Sequence, residues 1–223
     1  MEIEPIAHVY NDYTGKFGIP RQSGLVPEAL STIVFVKTYR QPEALRGIEG
    51  FSHLWLLWEF SENVRDHWSA TVRPPRLLGN TRLGVFATRS PFRPNPIGLS
   101  VVELKKVELH TAQGPILTVA GADLLNGTPL IDIKPYLPHI DAIEGATGGF
   151  AAQFKDYGLQ VICPPELLNL LPKEQRPVLL AILAQDPRPS YQHDPERVYG
   201  ISYGHFNVKF KVVGQQLTVL SVE

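Results

Sequence analysis

A single cysteine, Cys163, leaves no internal disulfide and no multi-cysteine zinc site, and it fits a reducing compartment. Long apolar runs are missing too: the most hydrophobic stretch, Leu54 to Trp58, is far too short to span a bilayer. The opening M-E-I-E-P-I has acids where a signal peptide has a basic region and an apolar core, so the cytoplasm is the expected location and no membrane association is expected. No G-x-G-x-x-G and no G-x-x-x-x-G-K occurs, which removes the two common phosphate cradles. H-E-x-x-H is absent and the seven histidines are scattered without ligand spacing, so no metal is expected. Nor is a G-x-S-x-G nucleophile elbow expected.

Acid is missing from one long stretch. Between Asp66 and Glu103 there is none, whereas Arg73, Arg76, Arg82, Arg89 and Arg93 all lie there, in a chain whose net charge is only -1. Guanidinium groups pair bidentately with phosphate, so the block suits a polyanion. Scattered arginines on a solvated sheet edge would give the same pattern.

What is present reads as mainly β. Thr32–Lys37 is β-branched and aromatic, and Phe51–Phe60 is apolar enough to predict a strand buried on both faces. Further strands are expected at Leu83–Thr88, Ser100–Leu109, Ile116–Leu125 and Leu130–Lys134, and short helices at Pro27–Leu30 and Pro42–Arg46. Many short strands separated by Gly and Pro predict a closed or nearly closed β-barrel of non-Rossmann type. The last third changes character. Gly145–Gly149 reads as a loop, Pro165–Leu171 and Glu174–Gln185 as helices, and Val208–Val213 with Leu217–Val222 as a hairpin. The expected organisation is a barrel over 1–144, a linker over 145–158 and a small α+β domain over 159–223.

One segment stands apart: Ala87–Ser100, A-T-R-S-P-F-R-P-N-P-I-G-L-S, with three prolines and a glycine. Proline fixes φ and removes donors, so Arg89, Ser90, Arg93 and Asn95 are presented from a stiff loop. Such a loop is either a preorganised cradle for a small ligand with carboxylate, hydroxyl or phosphate groups, or a stiff connector with solvated arginines.

This segment closely resembles the signature of the TsaA-like (TrmO) family, whose bacterial members include tRNA methyltransferases. G-I-P-R-Q-S-G-L (Gly18–Leu25), F-S-H-L-W-L-L (Phe51–Leu57), V-R-P-P-R (Val72–Arg76), D-I-K-P-Y-L (Asp132–Leu137) and Q-D-P-R-P-S-Y (Gln185–Tyr191) agree in order, so the resemblance covers essentially the whole chain. It implies a barrel that binds S-adenosylmethionine, across a homodimer interface, and a small C-terminal domain. It also implies methylation of N6 on threonylcarbamoyladenosine, 3′ of the anticodon of threonine tRNA. Cofactor contacts implied by the resemblance are Arg21, Gln22, Ser23, Glu62, Asn63, Arg89, Leu99, Leu130, Ile131, Asp132 and Ile133. The histidine associated with the family around Ser61–Asn63 is absent here.

If Leu130–Lys134 is a regular strand, Leu130, Asp132 and Lys134 share one face and Ile131 and Ile133 the other. The Asp132–Lys134 pair then lines a site or is a surface ion pair. A carbamoylated N6–H is acidic enough for a modest acceptor, and Asp132 or Asn95 is the candidate base. Arg93, Lys134, Arg188 and Tyr191 are candidate RNA contacts, with Asp186 and Tyr191 alternatively serving only to end a helix and pack the appendage. A non-catalytic RNA-binding module would account for the arginine block but not for a rigid loop suited to a small ligand.

Overall fold

The computed structural model describes residues 2–63, 67–77, 81–189, 192 and 194–223. In chain order the strands are β1 (Ala7–Tyr10), β2 (Leu30–Phe35), β3 (His53–Glu59), β4 (Thr71–Val72), β5 (Leu83–Gly84), β6 (Ile97–Thr111), β7 (Gly114–Ala120), β8 (Pro129–Pro135), β9 (Gln160–Ile162), β10 (Tyr199–Tyr203), β11 (Phe206–Val213) and β12 (Gln216–Val222). Three α-helices are described, α1 (Pro138–Asp141), α2 (Pro165–Leu168) and α3 (Gln175–Ala184). Six strands close a barrel in the order β1-β2-β7-β6-β3-β8, every neighbouring pair antiparallel. Closure removes the sheet edges, and the alternating side chains fill the interior.

The expected barrel is therefore found, but not as drawn from the sequence in every strand. Along β3 only alternate residues are buried: Leu54, Leu56 and Trp58 point into the barrel with Val9, Ile33, Leu117 and Leu130, whereas Trp55 and Leu57 face outward. The continuous apolar run is half barrel core and half outer wall. Trp55 is partly covered, its ring 5.8 Å from Tyr136 and its indole N–H donating to Asp141 Oδ2 at 3.0 Å. The expected strand Leu83–Thr88 shrinks to two residues, because the chain coils into a 3₁₀ turn at Val85–Ala87. No helix forms at Pro27–Leu30; a turn closed by Ala29 N–H to Val26 C=O leads straight into β2. Strands β1, β4, β9 and β10 lie outside the expected segments, being short or, in Y-G-I-S-Y, interrupted by glycine.

The phase of β8 also departs from the sequence reading. Leu57 pairs with Asp132 but Trp58 pairs with Leu130, so a bulge at Ile131 places an extra residue in β8. Leu130 thus points into the barrel, Ile133 packs against the same core, and Asp132 and Lys134 face outward. Leu130 and Asp132 lie on opposite faces, not one.

A second core lies under the sheet β10-β11-β12-β9, where Phe210, Val208, Leu217 and Val219 meet Val178, Leu179, Ile182 and Leu183 of α3. Pro177 falls within the first turn of α3, as expected. The β11–β12 hairpin turns through Gly214-Gln215, with Gly214 at φ 59°. Positive φ at the first central position alone is what a two-residue II′ turn requires. Tyr13, Val26 and Ala29, from the long connection between β1 and β2, also belong to this core. Gly204 N–H donates to Asp12 C=O at 2.8 Å and Gln175 Nε2 to Asp12 Oδ2 at 3.0 Å. The connection 11–29 is therefore held between the barrel and the C-terminal sheet.

Candidate active site

Strand β6 is long enough to serve two partners in turn. Its first half, Ile97–Glu103, pairs with β3, and pairing with β7 begins only at Glu103. The side of Ile97–Val102 turned away from β3 is thus left without a β7 neighbour. The connection 11–29 lies along it: Ser23 Oγ accepts from Val101 N–H at 3.2 Å. Two glycines permit that approach. Gly24 (φ 79°) donates its N–H to Gly121 C=O at 2.8 Å, and Gly121 (φ 78°) packs so closely that an added Cβ would lie 3.4 Å from the Gly24 backbone.

The proline-rich loop closes on itself. Thr88 Oγ1 donates to Val85 C=O at 2.9 Å, Ser90 Oγ accepts from Phe92 N–H at 3.3 Å, and Pro96 C=O accepts from Phe60 N–H at 2.9 Å. Arg93 turns back on the loop, its Nη1 2.9 Å from Thr88 C=O. Arg89 instead reaches out, exposed, and donates from Nη1 to Gln22 Oε1. This contact joins the two segments, around Gln22 and around Arg89, that the resemblance assigns to the cofactor.

Beneath them lies a carboxylate that the sequence reading missed. Ser100 Oγ donates to Asp123 Oδ1, and Trp58 Nε1 donates to Ser100 Oγ at 3.0 Å. Burial raises the Asp123 carboxyl above its usual range, against the Ser100 hydrogen bond and the nearby positive charge of Arg89. Asp123 was concealed because a strand was expected to run through it to Leu125, whereas β7 ends at Ala120. Gly98 is part of the same construction: a Cβ there would fall inside van der Waals contact with the Trp58 indole.

The other side of this wall is the outer face of β6-β3-β8, where Leu99 pairs with Leu57 and Leu57 with Asp132. Leu99 is 48% exposed. Asp132 accepts from Ile133 N–H at 2.8 Å and pairs with Lys134 Nζ at 2.7 Å on the solvent side. Asn95 is exposed at the tip of the proline loop. Glu62 is tied to the connection by Lys16, whose Nζ donates to Glu62 C=O at 2.8 Å. Gln22, Ser23, Arg89 and Asp123 therefore come together; Leu99 and Asp132 share the adjoining outer face; Leu130 can offer a ligand only its backbone, its side chain being in the barrel. The Asn63 side chain and Tyr191 lie outside the described residues.

Arg21 and Arg188 are placed differently from the expectation. Arg21 Nη2 donates to the carbonyls of Asp186 and Arg188, each at 3.2 Å, bridging to the loop after α3. Arg188 is buried, its Nε and Nη2 gripping both Asp186 oxygens at 2.8 and 2.9 Å, and Tyr157 Oη donates to Asp186 Oδ2 at 2.6 Å. A guanidinium so enclosed has no face for phosphate, which corrects the expected RNA contact at Arg188. Burial alone would raise the Asp186 carboxyl, but hydrogen bonds from Arg188 and Tyr157 outweigh it and hold it below the ordinary value. Asp186 has φ 54°, the one positive value among described non-glycine residues. The chain from Asp186 and Arg188 through Arg21 and Gln22 to Arg89 connects the C-terminal sheet to the site.

One stock motif fails on geometry. The string G-I-S-Y-G (Gly200–Gly204) does match G-x-S-x-G, against the expectation, but its serine lies in β10 of a regular hairpin, with Ser202 Oγ bonded to Asn207. Among the described residues no group of three or more His, Cys, Asp or Glu is placed to hold a metal ion. No helix of the described residues is long and apolar enough to cross a membrane.

Comparison with known proteins gives a consistent picture. Residues 8–142 match the model described as tRNA-methyltransferase O N-terminal domain, and residues 157–223 the TrmO C-terminal domain. A tRNA (adenine(37)-N6)-methyltransferase of Escherichia coli is 42% identical over 100% of this chain and 98% of its own length. One of the same name from Eikenella corrodens is 47% identical over 73% of this chain and 91% of its own. A crystal structure of TrmO from Pseudomonas aeruginosa superposes with a TM-score of 0.80 at 35% identity, covering 100% of this chain and 96% of that one.

Proposed function

Because the chain belongs to the TrmO family of S-adenosylmethionine-dependent methyltransferases, with both family domains present, we propose that it methylates N6 of the adenosine 3′ of the anticodon in tRNA, with threonylcarbamoyladenosine in threonine tRNA as substrate. The observation that carries this reading is Arg89, anchored by Gln22 beside half-buried Asp123 along the side of β6 that β7 leaves unpaired.

The donor set fits the cofactor. S-adenosylmethionine carries a carboxylate, a cationic centre, ribose hydroxyls and an apolar purine. Arg89 answers the carboxylate, Gln22 and Ser23 the hydroxyls, Asp123 the positive charge, and Leu99 with the Ile131–Ile133 backbone the purine. Bound there, the cofactor supplies an electrophilic methyl on a sulfonium. The protein's task is alignment, and the proline loop and the paired glycines fix the groups before any ligand arrives. Asp132 is the acceptor for the N6 proton, with Asn95 the alternative; Lys134, paired with Asp132, faces approaching phosphate. The enzyme works as a cytoplasmic homodimer, its domains divided near residues 145–158.

The test is nucleoside mass spectrometry of tRNA incubated with protein and labelled cofactor. A methyl gain on threonylcarbamoyladenosine is expected, greatest in threonine tRNA, and sedimentation mass should be that of a dimer. Label on plain adenosine alone would remove the carbamoylated substrate, and no label in any tRNA would remove the function. In Arg89→Ala the cofactor KM should rise roughly 10-fold or more, the loss of one charged hydrogen bond of about 1.5–3 kcal/mol.

A further inference from the structure

Two large aromatic side chains stand in solvent close to the site. Trp68 is 52% exposed and Phe86 73%. Their rings are stacked, centroids 6.3 Å apart and planes 26° from parallel. Isolated exposed apolar residues are ordinary, but a stacked exposed pair is a prepared flat surface. The β4–β5 ribbon builds it: Trp68 precedes β4, and Phe86 sits in the 3₁₀ turn after β5. Val85 N–H donates to Ala70 C=O at 3.0 Å and the Val85 side chain is buried, so its neighbour Phe86 is turned outward.

The surroundings are positive. The Arg93 guanidinium lies 5.9 Å from the Phe86 ring centroid. Arg82 Nη1 donates to Thr71 Oγ1 at 2.7 Å on the same ribbon, and Arg73 follows β4, exposed. No acid occurs from residue 67 to 102. A partner protein would be drawn by the apolar rings and would have to bring acids to meet a patch that has none of its own. Unpaired nucleic-acid bases need both, a π-face to stack on and cations for the flanking phosphates. Thr88, which holds Arg93 and donates to Val85 C=O, is also next to Arg89, so Phe86 and the proline-rich loop are continuous.

We infer that the Trp68–Phe86 pair is a stacking platform for an unpaired RNA base flanking the methylated adenosine, with Arg82 and Arg93 on the adjacent phosphates. The inference rests on the tRNA-methylation reading and specifies where the RNA lies.

The experiment titrates the full-length protein with an anticodon stem-loop RNA, following tryptophan fluorescence and methyl transfer. Wild type should show quenching, and Trp68→Phe should lose most of it. Phe86→Ala should bind the loop roughly 5- to 150-fold more weakly, the loss of one base–aromatic stack, with cofactor affinity unchanged. Phe86→Tyr, which keeps the π-face, should bind as wild type and so separates stacking from misfolding. Wild-type RNA affinity in Phe86→Ala, with methylation intact, refutes the platform while leaving the function standing. A fall in sedimentation mass in Phe86→Ala without loss of RNA affinity assigns the pair to contact between copies and also refutes it. A wild-type protein that methylates no tRNA removes the function and the platform together.

Discussion

Asp186→Asn offers the sharpest test of how the C-terminal unit acts on the site. Asparagine tolerates φ 54° nearly as well as aspartate, so the backbone is left alone and only the charge is removed. Arg188 then keeps its charge in a buried place without its counter-ion. Breaking a buried pair in this way costs about 3–5 kcal/mol, enough to erase much of the stability of a small domain. Replacing both partners, Asp186→Asn with Arg188→Met, should recover most of that loss, because an apolar substitute leaves no orphaned charge. The pH dependence has a defined sign. The folded Asp186 carboxyl titrates below its unfolded value, so its contribution is present above the unfolded value and is lost as pH falls through the folded one. Urea unfolding of the wild type should weaken over that acidic window, and the Asp186→Asn curve should be flatter there. Loosening the loop also frees Arg21, hence Gln22 and Arg89, so the cofactor KM should rise in the single variant and fall back in the double. Unchanged stability and unchanged KM in Asp186→Asn would refute the coupling.

Two further outcomes are expected. Gly98→Ala should destabilise by about 1–3 kcal/mol through overpacking against Trp58, and near-ultraviolet dichroism should report the displaced indole; a wild-type melting temperature would contradict the close contact. Asp123→Asn should stabilise the protein at neutral pH, since burial raises that carboxyl and its favourable contribution fades as pH rises through the folded value. The gain should vanish in acid, and cofactor affinity should drop because the charge facing Arg89 and the sulfonium is gone; denaturation at two pH values with calorimetry checks both.

The sequence by itself determined the class of the protein. Its short, regularly punctuated strands required a barrel, the amphipathic stripe of α3 and the Gly214 hairpin required a small α+β unit, and the proline loop around Arg89 stood out as the candidate ligand-binding segment; these are local signals, written in neighbouring residues. Tertiary structure alone decided the rest. A single extra residue in β8 turned Asp132 away from Leu130, which no alternation rule can anticipate without the partner strand. Asp123 became a candidate site residue only because Ser100, 23 residues earlier in the chain, arrives from β6 at hydrogen-bond distance. Arg188 reads as an exposed RNA ligand in D-P-R-P-S-Y, but two residues of separation and a positive φ at Asp186 fold it back into a buried pair. Composition records which charges a chain carries; whether they meet water, a ligand or one another is fixed by contacts between segments far apart in sequence.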